Sequence, residues 1–189
     1  INLGVKHTSA NVRGYEFNGA DLTGGVDYQF SDRFFSGVAF GFGNNSTELK
    51  DNRGNLDLLG FNMILYGSYY PNQASYLDAS IISGGHNYEQ QRNAIGHVYE
   101  ADYFCQQFSA SFTGGYDYVR GPLTLGPFGR LEYISSDLDE YRESSSGGGF
   151  NLNIDGQDVK STTLALGSQL TYVLNYRWGV VSPQFRLEW

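Results

Sequence analysis

Apolar and polar residues alternate one by one along most of this chain. Leu22, Gly24, Val26, Tyr28 and Phe30 form one set; Asp21, Thr23, Gly25, Asp27 and Gln29 lie between them. Side chains of an extended strand point alternately to its two faces, so this spacing predicts a strand with two different environments. The period returns in Phe34, Val38, Phe40 and Phe42, opposed by Gly37, Ala39, Gly41 and Gly43. It returns in Leu59 to Tyr69, in Leu77 to Ile81 and in Phe104 to Tyr118. It returns again in Leu123 to Tyr133, Leu164 to Leu174 and Val181 to Trp189. A weaker first strand is expected at Ile1 to Thr8, which makes nine.

The connections between these strands alternate in length. Short ones are expected at Ser31-Asp32, Pro71-Asn72-Gln73, Arg120-Gly121-Pro122 and Asn175-Tyr176-Arg177. Long loops are expected at Ser9–Asn18, Asn44–Asp57, His86–Glu100 and Ser135–Val159. An up-and-down meander with all its long loops at one end is the plan of a transmembrane β-barrel: short turns in the periplasm, long loops outside.

Charge is segregated in the same way. The apolar sets of strands two to nine contain no Asp, Glu, Lys or Arg, whereas the opposite sets hold Asp27, Asp78, Asp117, Arg130, Glu132, Arg186 and Glu188. A mid-bilayer charge on a lipid-facing strand costs about 2–4 kcal/mol, which explains the split. A soluble sheet with one wet face produces the same split. Aromatics separate the two readings. Tyr28, Phe30, Phe34, Tyr69, Tyr70, Tyr76, Tyr116, Tyr118, Tyr176 and Trp178 cluster beside the short turns. Amphipathic rings gather at the headgroup level, and these ten are expected to form an aromatic girdle.

Composition agrees. Glycine numbers 25 of 189 residues and aromatics make up 16 %, against a usual glycine share of about 7 %. Glycine disfavours helix interiors and aromatics favour strands. A net charge of −8 argues against a generally basic nucleic-acid-binding surface. Mean hydropathy is −0.38, which excludes a helical membrane protein. The one cysteine, Cys105, permits no internal disulfide.

Candidate chemistry is sparse. No nucleophile elbow with a Ser-His-Asp order is present. His7, His86 and His97 lack metal-ligand spacing and read as solvated loop histidines, so neither a metal nor a cofactor is expected. Arg130 with Glu132, and Arg186 with Glu188, stand at i, i+2 on the polar face and are expected to neutralise charge there. Asp27, Asp78 and Asp117 share that face without a cleavage motif. The segment from Ser135 to Lys160 carries six carboxylates against Arg142 and Lys160, half of the net charge. It reads as a solvated loop made flexible by Gly147-Gly148-Gly149. Asp155-Gly156 predicts a hairpin turn between Asn151–Ile154 and Gln157–Val159, a two-stranded projecting flap.

Two short repeats stand out. Thr23-Gly24-Gly25-Val26-Asp27-Tyr28 matches Thr113-Gly114-Gly115-Tyr116-Asp117-Tyr118. Pro127-Phe128-Gly129-Arg130-Leu131-Glu132-Tyr133 matches Pro183-Gln184-Phe185-Arg186-Leu187-Glu188-Trp189. Each pair is expected at one height on equivalent strands. Leu22–Phe30 with Ser31-Asp32, Leu65–Pro71, Gly121–Tyr133, Ile154–Val159 and Gly179–Trp189, in this order and spacing, make the stretch Gly19 to Trp189 resemble the translocator β-barrel of type Va autotransporters of Gram-negative bacteria. The resemblance implies an all-β, antiparallel, up-and-down transmembrane barrel in the bacterial outer membrane, of a twelve-stranded family. It implies that the barrel is not an enzyme, anchors an N-terminal passenger and helps export it by type V secretion. The implied partners are outer-membrane lipid and lipopolysaccharide, the passenger or its linker in the lumen, and the barrel assembly machinery, with no nucleic acid. The alternatives are a stand-alone outer-membrane pore or adhesin-like barrel, or a soluble β-barrel that binds a small ligand. Residues 1–189 are expected to be one domain that lacks its last strands, because nine strands end on opposite sides of a membrane and a closed barrel needs both ends on one side.

Overall fold

The computed structural model describes residues 2–12, 14–145, 147 and 150–189; Ile1 and Gly148-Gly149, named above, lie outside them. The strands in chain order are β1 (Asn2–Val12), β2 (Tyr15–Ser31), β3 (Phe34–Leu49), β4 (Gly54–Tyr69), β5 (Ser75–Ala94), β6 (His97–Tyr116) and β7 (Tyr118–Arg120). They continue with β8 (Leu123–Leu138), β9 (Tyr141–Arg142), β10 (Asn153–Ile154), β11 (Gln157–Tyr172), β12 (Leu174–Tyr176), β13 (Gly179–Val181) and β14 (Gln184–Glu188). Nine of them form one antiparallel path, β1-β2-β3-β4-β5-β6-β8-β11-β14, in chain order. β7 prolongs β6 past Asp117, and β12 and β13 prolong β11 and β14 into a common turn. Nine long strands in an up-and-down meander are what the alternation predicts. Among the described residues β1 and β14 are the free edges of the sheet.

The two faces are inverted relative to a water-soluble sheet. Phe40 is 60 % exposed, while its neighbour Ala39 is 8 % exposed. Phe42 and Leu65 are exposed, and Gly41 and Gly43 are buried. A sheet folding in water buries its large apolar face, since about 25 cal/mol is at stake per Å². This sheet covers its small and polar face and leaves the large apolar face open. That face therefore meets an apolar solvent, which decides the question that charge segregation leaves open.

Three of the expected long loops are strand. β1 and β2 pair up to Val12 and Tyr15, β3 and β4 up to Leu49 and Gly54, and β5 and β6 up to Ala94 and His97. The reason is environmental. A membrane crossing needs about 9–11 residues per strand, and β5 and β6 have 20 each. Above Gly85 and Gln106 the outward set becomes Asn87, Glu89 and Gln91 on β5, with Glu100 and Asp102 on β6. Both faces then meet water, so the apolar period vanishes while the backbone ladder continues. The loops are tall hairpins that stand above the membrane.

The β5–β6 hairpin turns through Ile95 and Gly96, at φ 53° and 77°. Two successive left-handed residues suit a tight hairpin, but a β-branched side chain is strained there. Ile95→Asn is expected to stabilise the hairpin by about 1 kcal/mol. Slower amide exchange at Ala94 and His97, the pair that closes the turn, would show it, and unchanged exchange would contradict it.

The acidic segment departs most from expectation. Gln157–Val159 do not pair with Asn151–Ile154 across Asp155-Gly156. They extend β11 along β8, with Gln157 opposite Leu138 and Val159 opposite Ser136. Asn153 and Ile154 pair instead with Arg142 and Tyr141. Pairing with the sheet offers Gln157–Val159 a ready partner that a local hairpin must first build.

Candidate functional site

The polar face carries the groups that line the interior of a barrel. Its wall is built from aromatic rings laid over glycines of the next strand. The Tyr66 ring on β4 fills the space where a Cβ of Gly37 on β3 would stand, and the Tyr66 hydroxyl donates to Asp27 Oδ2 on β2 at 3.4 Å. Tyr76 covers Gly115 in the same way, and Phe128 covers Gly167. Glycine is needed because any side chain there collides with a ring. Each ring ties its strand to the next without adding height to the wall.

The charged repeats meet on this wall. Arg130 pairs with Glu188 through Nη2 and Oε1, Arg186 Nη2 lies 2.8 Å from Glu188 Oε2, and Arg130 Nε lies 3.8 Å from Glu132. The Arg186 guanidinium also stacks on the Phe128 ring at 4.3 Å. β11 runs between the two strands and presents only Ala165 and Gly167 beneath the pair. Arg130 opposes Ala165 and Arg186 opposes Gln169, so the copies are offset by four residues along β11. The offset sets Arg130 beside Glu188 and lets unlike charges join across an intervening strand.

Asp78 lies opposite Thr113 on the same wall. The Asp117 carboxylate lies over Gly126. All seven charged residues named from the sequence thus share the polar face. His86 is corrected: it sits in β5, not in a loop, with its ring over Gly60 and Nε2 3.2 Å from Gln107 Oε1. Cys105 is a free thiol opposite His86. Among the described residues, no three His, Cys, Asp or Glu side chains converge as a metal site.

The aromatic set divides. Tyr28, Phe30 and Phe34 pack together on the apolar side, at centroid distances of 4.9 and 5.5 Å. Tyr69, Tyr116 and Tyr118 are exposed on that side, and Tyr176 stacks on Trp178 at 5.3 Å beside the last short turn. Tyr76 and Tyr70 are corrected. Tyr76 has the parity of Asp78 and faces the polar wall. Tyr70 lies beyond the end of β4 and stacks at 6.5 Å on Phe35, which shares the face of Gly37.

A second site, absent from the candidates read from the sequence, stands above the apolar band. Glu143, in the segment read as a solvated loop, is 3 % exposed. Its carboxylate accepts from Arg92 Nε at 2.8 Å, Arg92 Nη2 at 2.5 Å and the Leu152 amide at 3.0 Å. The Arg92 guanidinium sits 4.5 Å over the ring of Tyr99, which is 1 % exposed. Tyr88, Tyr103 and Tyr141 stack in a column at 4.9 and 4.2 Å. The signal available in the sequence was weak: one Arg and one Glu, fifty-one residues apart.

Hydrogen bonds from Arg92 hold the Glu143 carboxyl below its ordinary range, and the same bonds raise Arg92. A lowered carboxyl contributes stability above its unfolded pKa of about 4.3, lost as pH falls through the folded value. Acidification through that lowered value, below the ordinary carboxyl range, is therefore expected to release this contact. The protection of the Leu152 and Ser144 amides relative to their intrinsic exchange rates should fall there, and in Glu143→Gln it should already be low at neutral pH. Equal protection at neutral pH in the parent and in Glu143→Gln would contradict the assignment.

An all-antiparallel meander with an apolar outside and a polar inside wall is an outer-membrane β-barrel. The chain matches the family model described as "Autotransporter beta-domain" over residues 3–189, so it belongs to the autotransporter β-domain family. It is thereby a β-barrel of the bacterial outer membrane. Among solved structures it resembles the translocator domain of the autotransporter NalP from Neisseria meningitidis. The TM-score is 0.75 at 14 % identity, over 92 % of this chain and 61 % of that one. It also resembles the β-domain of the Bordetella autotransporter BrkA, with a TM-score of 0.68 at 19 % identity, over 98 % and 74 % of the two chains. A looser likeness joins it to BauA, the ferric preacinetobactin receptor of Acinetobacter baumannii. There the TM-score is 0.51 at 11 % identity, over 98 % of this chain and 39 % of that one. At such identities these likenesses concern the fold. The chain spans about three-fifths of the NalP domain, 61 %. A search of curated protein sequences found no significant match.

Proposed function

We propose that this barrel anchors an N-terminal passenger in the outer membrane and forms the wall of the conduit through which the passenger reaches the cell surface. One observation carries the reading: within the apolar band the interior wall is lined mainly by Gly, Ser, Thr, Gln and paired charges, with Tyr66, Tyr76 and Phe128 laid over glycines of the next strand. Such a wall offers an extended polypeptide hydrogen bonds and few apolar places to stick. Arg130, Glu132, Arg186 and Glu188 keep the wall rigid and balanced in charge. Asp27, Asp78 and Asp117 give it a polar lining and no cleavage chemistry, so the domain acts as a wall and not as an enzyme.

Outward-facing Tyr28, Phe30, Phe34, Tyr69, Tyr116, Tyr118, Tyr176 and Trp178 seat the barrel at the periplasmic interface. Phospholipid and lipopolysaccharide cover the apolar face. Unpaired backbone groups in lipid cost several kcal/mol each. The edges of β1 and β14 are therefore closed by further strands of a twelve-stranded barrel, with the assembly machinery covering them during folding. Brief protease treatment of intact Gram-negative cells that express the full-length protein tests the reading. The segment preceding the barrel should be digested, and should become resistant when the barrel is deleted. A preceding segment that stays resistant while the barrel is folded would overturn it.

A further inference from the structure

We propose that the outer end of the polar wall binds a divalent transition-metal ion of the zinc type, held by His86 Nδ1, the Asp21 carboxylate and Asn62 Oδ1. The site goes beyond the export reading and does not depend on it. Placement is the first argument. Asp21 on β2, Gly43 on β3, Gly60 on β4 and His86 on β5 form one row of cross-strand partners on the polar face. The two middle members are buried glycines, so the outer two lean in over them. Asp21 Oδ1 stands 2.2 Å from the position a Gly43 Cβ would take, and His86 Nδ1 stands 2.6 Å from that of Gly60. Cβ positions of directly opposed residues lie about 4.5–5.5 Å apart. A carboxylate oxygen and an imidazole nitrogen are thus brought over one small patch from strands that are not neighbours. Asp21 leans away from β1, where Lys6 is its register partner.

Unpaired acceptors are the second argument. Asn62 follows Gly60 on the same face of β4, and its Oδ1 stands 2.5 Å from the Cβ position of Gly41, a third buried glycine of this floor. Asn62 Oδ1 and His86 Nδ1 are buried atoms with no hydrogen-bond partner among the described residues. His86 Nε2 lies 3.2 Å from Gln107 Oε1. An oxygen there accepts the ring proton's hydrogen bond, so Nε2–H donates and Nδ1 keeps its lone pair. Three acceptors, one of them charged, therefore line one cavity of about 70 Å³, enough for an ion with bound water. Asn45 Nδ2 also lines it, 3.8 Å from the Gly43 position, where it is placed to steady the carboxylate. One water has two protons to give and leaves the carboxylate charge uncompensated. A cation serves all three acceptors and offsets that charge.

The donor set chooses the ion. An imidazole nitrogen with carboxylate and amide oxygens suits Zn²⁺ and its neighbours, whereas Ca²⁺ and Mg²⁺ take oxygen ligands. A hydrogen bond at the far ring nitrogen, here from Gln107, is the outer contact that orients a metal-binding imidazole. The ion ties β2 to β5 across two glycine-floored strands. It does so near the height where the outward face turns from apolar to polar, above the rings that join strands lower on the wall.

Metal counting tests the site. The full-length protein, purified folded in detergent, is stripped with chelator and dialysed against zinc chloride. Heat-modifiable migration confirms a folded barrel in each variant. The parent should retain one zinc ion per chain more than His86→Ala or Asp21→Ala. Gln107→Ala should bind that ion about 10–100-fold more weakly. Cys105→Ser should keep the parent's affinity, because Cys105 pairs with His86 from β6, on the side away from Gly60. Equal zinc in the parent and in a folded His86→Ala or Asp21→Ala overturns the proposal. So does loss of the ion in Cys105→Ser, which makes the thiol the ligand, or retention of calcium in place of zinc. A parent that retains no zinc overturns it without any variant.

Discussion

Gly167→Val leaves the protein unassembled, with heat-modifiable migration lost and the chain degraded in the periplasm. Gly167 lies on β11 beneath the Phe128 ring, and a Cβ there would also stand 2.7 Å from the Leu187 backbone carbonyl. A flexible side chain can move aside at little cost, but a carbonyl in the next strand cannot. The ring is held as well, by the Arg186 guanidinium on its face. Overpacking a well-filled site costs about 1–3 kcal/mol. Here the clash also separates Arg186 from Phe128 and strains the Arg130–Glu188 pair that crosses the same glycine. The damage falls where β14 joins β11, through five residue pairs. Gly129→Val is the control. Gly129 belongs to the other face, and its added Cβ would meet only Leu166 Cδ2 at 3.4 Å. It should assemble normally. Equal assembly of both variants would show that the ring over Gly167 is dispensable.

Leu65→Arg is the second large effect. Leu65 is 50 % exposed on the apolar face, between Val38 on β3 and Ile81 on β5. An arginine at the bilayer midplane costs about 2–4 kcal/mol, far more than the same change in a water-exposed sheet. The next residue along the backbone, Tyr66, has the other parity and faces the polar wall. The matched control is Ser109→Arg, on that wall opposite Ile82 and Ile134. It should change the midpoint of unfolding in detergent or vesicles little, whereas Leu65→Arg should lower it strongly in vesicles. If the two variants lose equal stability, the apolar face is not facing lipid.

The reach of the sequence can be judged from particular elements. Phe40 and Phe42 against Ala39, Gly41 and Gly43 specified strand β3 and its two faces, because a strand has a period of two and a bilayer punishes the wrong parity. The same constraint explains why the turn at Gly121-Pro122 and the one at Arg177-Trp178 were placed nearly to the residue. Tyr76 illustrates a local failure. Its parity with Asp78 was legible, but its proximity to a short turn suggested a girdle residue. Only the glycine opposite it, Gly115, accounts for a ring on the polar wall. The tall hairpins were missed for another reason: above the membrane both faces are wet, and hydrophobic period carries no information about a backbone that still pairs.

The sequence by itself determined nine strands, their order, which residues share each face, and the family to which the chain belongs. These follow from local periodicity and from a solvent that differs across the wall. Only the tertiary structure decided which face is covered, how far the strands are staggered and where the acidic segment goes. Stagger places Arg130 beside Glu188 across Gly167, and the return of the flap places Glu143 on Arg92, fifty-one residues away. Such pairings depend on register between strands and on the path of a loop, and no local pattern of residue types encodes either.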